Sequence, residues 1–193
     1  MDKDLIETKD GFSVYLIQDS DAQSPEDNSG DDGDDLLFVV TTSNRYFQCR
    51  DEKRDHTPEA VTAGTWKKTH WAFPLFMYAH SGVALSLGRG GQFSDPWDSG
   101  QVGFVLVNKK AEPHWRLQAN ALKAAECLVE QWNQYLSGDV WGYVVEGPDG
   151  EDGDSCWGFY GRDYAEAEAK DALTYAVKAH NRNEVEARTM MAL

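Results

Sequence analysis

Residues 140–160 read VWGYVVEGPDGEDGDSCWGFY, and residues 161–177 follow as GRDYAEAEAKDALTYAV. The first stretch holds two short arms rich in Val, Tyr, Trp and Phe, Val140–Glu146 and Ser155–Tyr160. They flank Gly147–Asp154, a run of turn formers, which is the pattern of a β-hairpin. Each arm carries one glycine, Gly142 and Gly158, where another backbone or a Trp ring can approach closely. The second stretch changes period. Ala165, Ala169, Ala172, Leu173, Ala176 and Val177 recur at three- and four-residue steps, and Asp163-Tyr-Ala-Glu166 resembles a capping box with Asp at the cap. Two strands followed by a helix in one piece of chain point to an α+β fold, a mostly antiparallel sheet packed by helices.

Moving toward the N-terminus, Pro113 suits a first helical turn. Leu122, Ala125, Val129, Trp132 and Leu136 draw an apolar stripe, widened by Ala121, Leu128 and Tyr135, and Gly138 is a natural stop. Val102–Val107 reads as a buried strand, and Phe73–Ala79 with Val83–Leu87 as a hairpin turning at His80-Ser-Gly82. Pro74 predicts that the first arm starts at, or lies on, a sheet edge. Phe12–Ile17 and Leu36–Thr42 complete the strands. Beyond Asn181 the polar tail is expected to fray. The reading is one domain over residues 1–193.

The chain carries a net charge of −15. Residues 1–35 hold twelve acidic side chains against Lys3 and Lys9, a net of −10, while the other 158 residues hold 21 acidic and 16 basic side chains, a net of −5. Asp19–Asp35, with eight acidic residues and no basic one, reads as a mobile loop. Such a chain repels nucleic acid unless the fold hides a basic patch, and it attracts basic partners. No apolar run approaches the roughly 20 residues that span a bilayer. The acidic start does not resemble a secretory signal, and Cys49, Cys127 and Cys156 suit a reducing cytoplasm better than a disulfide framework. No membrane partner and no cofactor are read from the chain; the oligomeric state stays open.

Two segments are more distinctive than their composition: Pro96-Trp-Asp-Ser-Gly-Gln-Val-Gly-Phe104 and Asp154-Ser-Cys-Trp-Gly-Phe-Tyr-Gly161. With His80-Ser-Gly82 before them and Tyr135-Leu-Ser-Gly-Asp-Val140 between, residues 75–161 resemble a family of uncharacterised proteins encoded by bacteriophages and other mobile elements. The resemblance implies no reaction. It implies a place in conflict between phage and host, where small acidic proteins inhibit nucleic-acid-handling defence complexes, CRISPR effectors or restriction systems. Under that reading the partner is a host protein complex, contacted without direct nucleic-acid binding. The binding candidates are then Asp31, Asp32, Asp34 and Asp35 in the acidic tract, with Asp95, Trp97 and Asp98 in the motif loop.

Other chemistry competes with this. Asp95, Asp98, Ser99 and Gln101 could form a carboxylate surface, although Asp-Pro and Asp-Ser-Gly are ordinary turn formers. Cys156 with His80 as base and Asp98 as orienter would make a hydrolase-type site; in its strand, Cys156 is more simply a buried, inert thiol. A structural or regulatory phage protein is a further alternative. The histidines at 56, 70, 80, 114 and 180 show no metal-ligand spacing, and Gly88-Arg-Gly-Gly91 opens no helix to cradle a phosphate. Lys67-Lys-Thr-His-Trp71 joins basic residues to an aromatic, but two lysines are too few against the surrounding negative field. Phe104, Trp141, Tyr143, Trp157 and Phe159 are expected in the core, and Trp97 as an exposed anchor.

Overall fold

The computed structural model describes residues 2–26, 37–41, 61, 66–88 and 98–191. Among them are eight strands and three helices, all the strand pairs antiparallel, an α+β fold. They divide into two compact units, residues 1–23 with 138–193 and residues 24–137.

In the first unit β1 (Asp4–Lys9), β2 (Phe12–Gln18), β7 (Val140–Glu146) and β8 (Asp152–Tyr160) form a sheet in the order β1-β2-β7-β8. The helix α3 (Arg162–Met191) covers one face. Its buried stripe is the one its period dictates: Ala165, Ala169, Leu173 and Val177 lie against Val14, Leu16, Tyr143 and Val145. The alanines let the helix approach the sheet closely. Helix entry differs from the capping-box expectation. Gly161, at φ 89°, accepts from the Ala165 N–H, so it takes the cap position and Asp163 falls inside the first turn. The far end also differs, because α3 does not fray after Asn181. Its exposed last turns are held by Glu184 between His180 (3.7 Å) and Arg188 (3.1 Å), at helical four-residue steps, and by the Thr189 hydroxyl donating to the Val185 carbonyl.

The second unit has the sheet order β3-β6-β4-β5, formed by β3 (Leu37–Thr41), β4 (His70–Ala79), β5 (Val83–Leu87) and β6 (Ser99–Asn108). A four-residue helix, α1 (Trp66–Thr69), leads into β4. A 3-10 turn, Pro113–Arg116, precedes α2 (Gln118–Ser137). Pro113 thus starts a separate turn, since Leu117 is extended and breaks the helix there. Ala121, Ala125, Leu128, Val129 and Trp132 of α2 pack on Phe73, Leu75, Met77, Leu85, Val105 and Val107. Asn133 docks the helix to the edge strand. Its amide accepts from Leu85 N–H (2.7 Å) and donates to Leu85 C=O (3.0 Å), occupying groups that an edge leaves open. Pro74 differs from the expectation: β4 starts four residues earlier, at His70, and runs between β6 and β5. Phe104 lies opposite Pro74 on one side, and Gly88 N–H donates to the Pro74 carbonyl (3.0 Å) on the other. The proline is tolerated because β5 stops at Leu87 and asks no N–H of it.

The acidic tract is ordered at its start. Asp19 N–H donates to Val140 C=O, Asp21 N–H to the Asp19 carboxylate, and the Glu26 carboxylate accepts from Val39 N–H. The remainder of the expected loop, Asp27–Asp35, lies outside the described residues.

Candidate functional site

Of the motif-loop candidates, Asp98 is described and takes a fixed position. Its carbonyl accepts from Ala79 N–H, tying the start of β6 to the end of β4, and its carboxylate lies 3.1 Å from His80 Nδ1. The imidazole is well exposed. Two members of the alternative Cys–His–Asp set therefore meet, as a base and its orienter would. Cys156 belongs to the other unit. It is exposed, not buried, on β8, the edge strand of its sheet. Asp31, Asp32, Asp34, Asp35, Asp95 and Trp97 lie outside the described residues. Among the described residues no three His, Cys, Asp or Glu side chains converge as a metal site.

The β7–β8 hairpin departs most from the sequence reading. Trp141 faces Phe159 and Tyr143 faces Cys156, so Trp157 and Gly158 together oppose Gly142. This is a β-bulge, and Gly158 at φ 82° supplies its left-handed residue. The bulge lays the Trp157 indole over Gly142, whose missing side chain makes the room. The close approach of a ring to this glycine is as expected, but the exposure is not. Trp157 is 43% exposed, an aromatic face on an edge strand.

Beneath it, Tyr143 is buried and stacks on Phe159 (5.7 Å, 22°), with its hydroxyl donating to Asp154 Oδ2 at 3.3 Å. Burial first, then the charges of Asp154 and Cys156, push the Tyr143 hydroxyl up to about 12. An unfolded tyrosine releases its proton near pH 10, so between pH 10 and 12 the folded state holds one proton more. Stability is whole below pH 10 and falls as pH rises toward 12, by at most roughly 3 kcal/mol from this group. Urea midpoints at pH 9 and pH 11.5 should therefore drop less for Tyr143→Phe than for the parent protein. Equal drops would remove Tyr143 as the source.

The fold also redistributes the charge. The first unit gathers 18 acidic and 7 basic side chains, a net of −11; the second has 15 and 11, a net of −4. Some of these carboxylates are neutralised locally: Asp4 by Arg162 at 2.8 Å, Glu146 by Lys3 at 2.7 Å and Glu166 by Lys170 at 2.6 Å. Others are not. The β1–β2 turn places Gly11 against Pro148 of the β7–β8 turn, which brings exposed Asp10, Asp149 and Glu151 to one end of the sheet. None of the three pairs with a cation among the described residues. The sequence hides this cluster because its members come from turns about 140 residues apart.

No protein-family model matches the chain, and neither the curated proteins nor the solved structures contain a match to it.

Proposed function

We propose that the protein is a mobile-element-encoded inhibitor that binds a host nucleic-acid-handling defence complex, a CRISPR effector or a restriction system, in the bacterial cytoplasm. In this reading it competes with nucleic acid through the acidic surface of the first unit. The observation that carries the reading is the net of −11 collected on that unit, with Asp10, Asp149 and Glu151 left without cations at the hairpin turns. Carboxylates held at the turns of paired strands can stand in for phosphates before a groove of Lys and Arg, without the entropy loss of ordering a free acidic tail. Trp157, exposed on the same unit, supplies the kind of large aromatic that anchors interfaces.

The test is a competition assay. Affinity capture from nuclease-treated bacterial lysate names the complex, and its DNA or RNA binding is then titrated with the protein at low and high salt. Inhibition should weaken steeply with ionic strength. Asp10→Lys, Asp149→Lys and Glu151→Lys combined should raise the inhibitory concentration about tenfold or more. Inhibition indifferent to salt and to these reversals would remove the electrostatic competition.

A further inference from the structure

In sequence, Lys67-Lys-Thr-His-Trp71 offers two lysines beside a tryptophan. The fold of the second unit adds to them. His70 pairs with Asn108 at the end of β6, so the chain leaving β6 turns back over α1. Lys109 N–H donates to the Thr69 carbonyl at 2.9 Å, and Lys109 Nζ donates to the Lys67 carbonyl at 2.9 Å. The same ammonium sits 4.3 Å from the centre of the Trp71 ring, a cation–π contact that holds it in place. Trp71 Nε1 donates to the Trp115 carbonyl at 2.9 Å, which brings the 3-10 turn with Arg116 to the same ring. Three separate segments that carry five cations, Lys67, Lys68, Lys109, Lys110 and Arg116, thus meet at Trp71, with the Lys109 ammonium on the ring itself.

Lys67, Lys68, Lys110 and Arg116 are exposed. So is His114, whose ring meets Trp115 edge-on at 5.8 Å. From residue 66 to 125 the described chain carries only two carboxylates, Asp98 and Glu112. Asp98 precedes the first residue of β6 while the cations gather past its last, about 30 Å away along the strand. Glu112, 4.0 Å from His114 Nδ1, is the one that lies in the turn beside the cluster. In a chain of net charge −15, cations outnumber carboxylates at this end of the second unit among the described residues.

We propose that this cluster is a binding surface for the phosphate backbone of a nucleic acid, with the rings of His114 and Trp115 beside it to receive a base. Cations interleaved with aromatic rings suit a chain of phosphates and bases, where a carboxylate surface would use the cations alone. The inference does not rest on the inhibitor reading, since all its residues lie in the second unit and that reading rests on the first.

The experiment is fluorescence anisotropy of a labelled mixed-sequence oligonucleotide, single-stranded and as duplex, titrated with the full chain between about 50 and 200 mM salt. Binding is expected on the order of micromolar at low salt, with a log–log salt slope of about 0.7 per phosphate contact on the single strand and 0.9 on the duplex. The combined variant Lys68→Glu, Lys110→Glu and Arg116→Glu should weaken it at least tenfold and flatten the slope, with an unchanged circular dichroism spectrum. These three are chosen because Lys109 also packs on Trp71. Glu112→Gln should tighten binding, while the Asp10, Asp149 and Glu151 reversals should not weaken it. The proposal is overturned if no oligonucleotide binds at low salt, if the triple variant binds as the parent does, or if polyglutamate binds equally well. It is also overturned if the reversals act by dissolving a self-associated species, which would make the acidic unit of a second copy the occupant.

Discussion

Gly103→Ala should cost about 3 kcal/mol of stability, while Gly100→Ala, three residues earlier on the same strand, should change it by less than about 0.5 kcal/mol. Both glycines lie in β6, and neither has a positive φ, so the difference is one of space alone. A Cβ on Gly103 would overlap the carbonyl oxygen of Val40 and stand 3.0 Å from the Thr41 Cα. Those are backbone atoms of β3, held in register opposite Gly103 and Phe104, and they cannot turn aside as a side-chain end could. Relief requires β3 to move off β6. That would open the contact among Val40, Phe104 and Leu106, all at most 5% exposed. At Gly100 nothing lies within 4 Å of the added carbon, and alanine there restricts the unfolded chain more than glycine does. Denaturant melts of the two variants, read side by side, check this. Equal losses would mean that the effect comes from glycine propensity and not from the packing of β3.

Local period made most of the elements legible. The alternation of Val83, Leu85 and Leu87, the stripe of α2 and the alanine-rich stripe of α3 each follow from which residues are apolar at which spacing. What local period cannot carry is which strands pair. β2 joins β7 across more than a hundred intervening residues, and nothing in FSVYLI or VWGYVVE names the other as partner. The candidate surfaces fail to show in sequence for the same reason. Asp10, Asp149 and Glu151 meet only because two turns pack at Gly11 and Pro148. Lys67 and Lys68 gain Lys109, Lys110 and Arg116 only because β6 ends beside α1. A net charge summed along the chain argued against direct nucleic-acid contact, but a sum has no position. Trp157 misled in another way. Its glycine neighbours pointed to a close packing contact, and that contact exists, but the ring laid over Gly142 at the bulge of edge strand β8 stays 43% exposed. His80 and Asp98 lie on either side of a hairpin and a strand start, and their meeting was the one part of the site whose ingredients stood together in the motifs.

Leu173→Ala should destabilise the protein by about 3 kcal/mol and release much of the α3 ellipticity at denaturant concentrations where the parent is still folded. The helix buries Ala165, Ala169, Leu173 and Val177, and two of these are alanines that offer closeness but little area. Leu173 is the largest of them and fully buried, set among Val14, Leu16, Tyr143 and Val145. Truncating it removes about 2–3 kcal/mol of transfer free energy and leaves a cavity. The sheet below, cross-linked by backbone hydrogen bonds, cannot collapse into that cavity. The exposed last turns of α3 give no compensating contact, since a lone amphipathic helix of this composition draws its stability from the sheet. Tyr175→Ala, two residues away but 68% exposed, is the matched control and should shift the midpoint little. The comparison also bears on function. Asp10, Asp149 and Glu151 lie in the turns and ends of β1, β2, β7 and β8, which stay paired under α3, so under the proposed inhibitor reading Leu173→Ala should lose inhibition together with structure. The charge reversals, by contrast, should lose it with the melting curve unchanged. If Leu173→Ala kept full inhibition at a temperature where α3 had melted, the acidic surface would have to act without its scaffold, and the competition would belong to a disordered acidic chain instead.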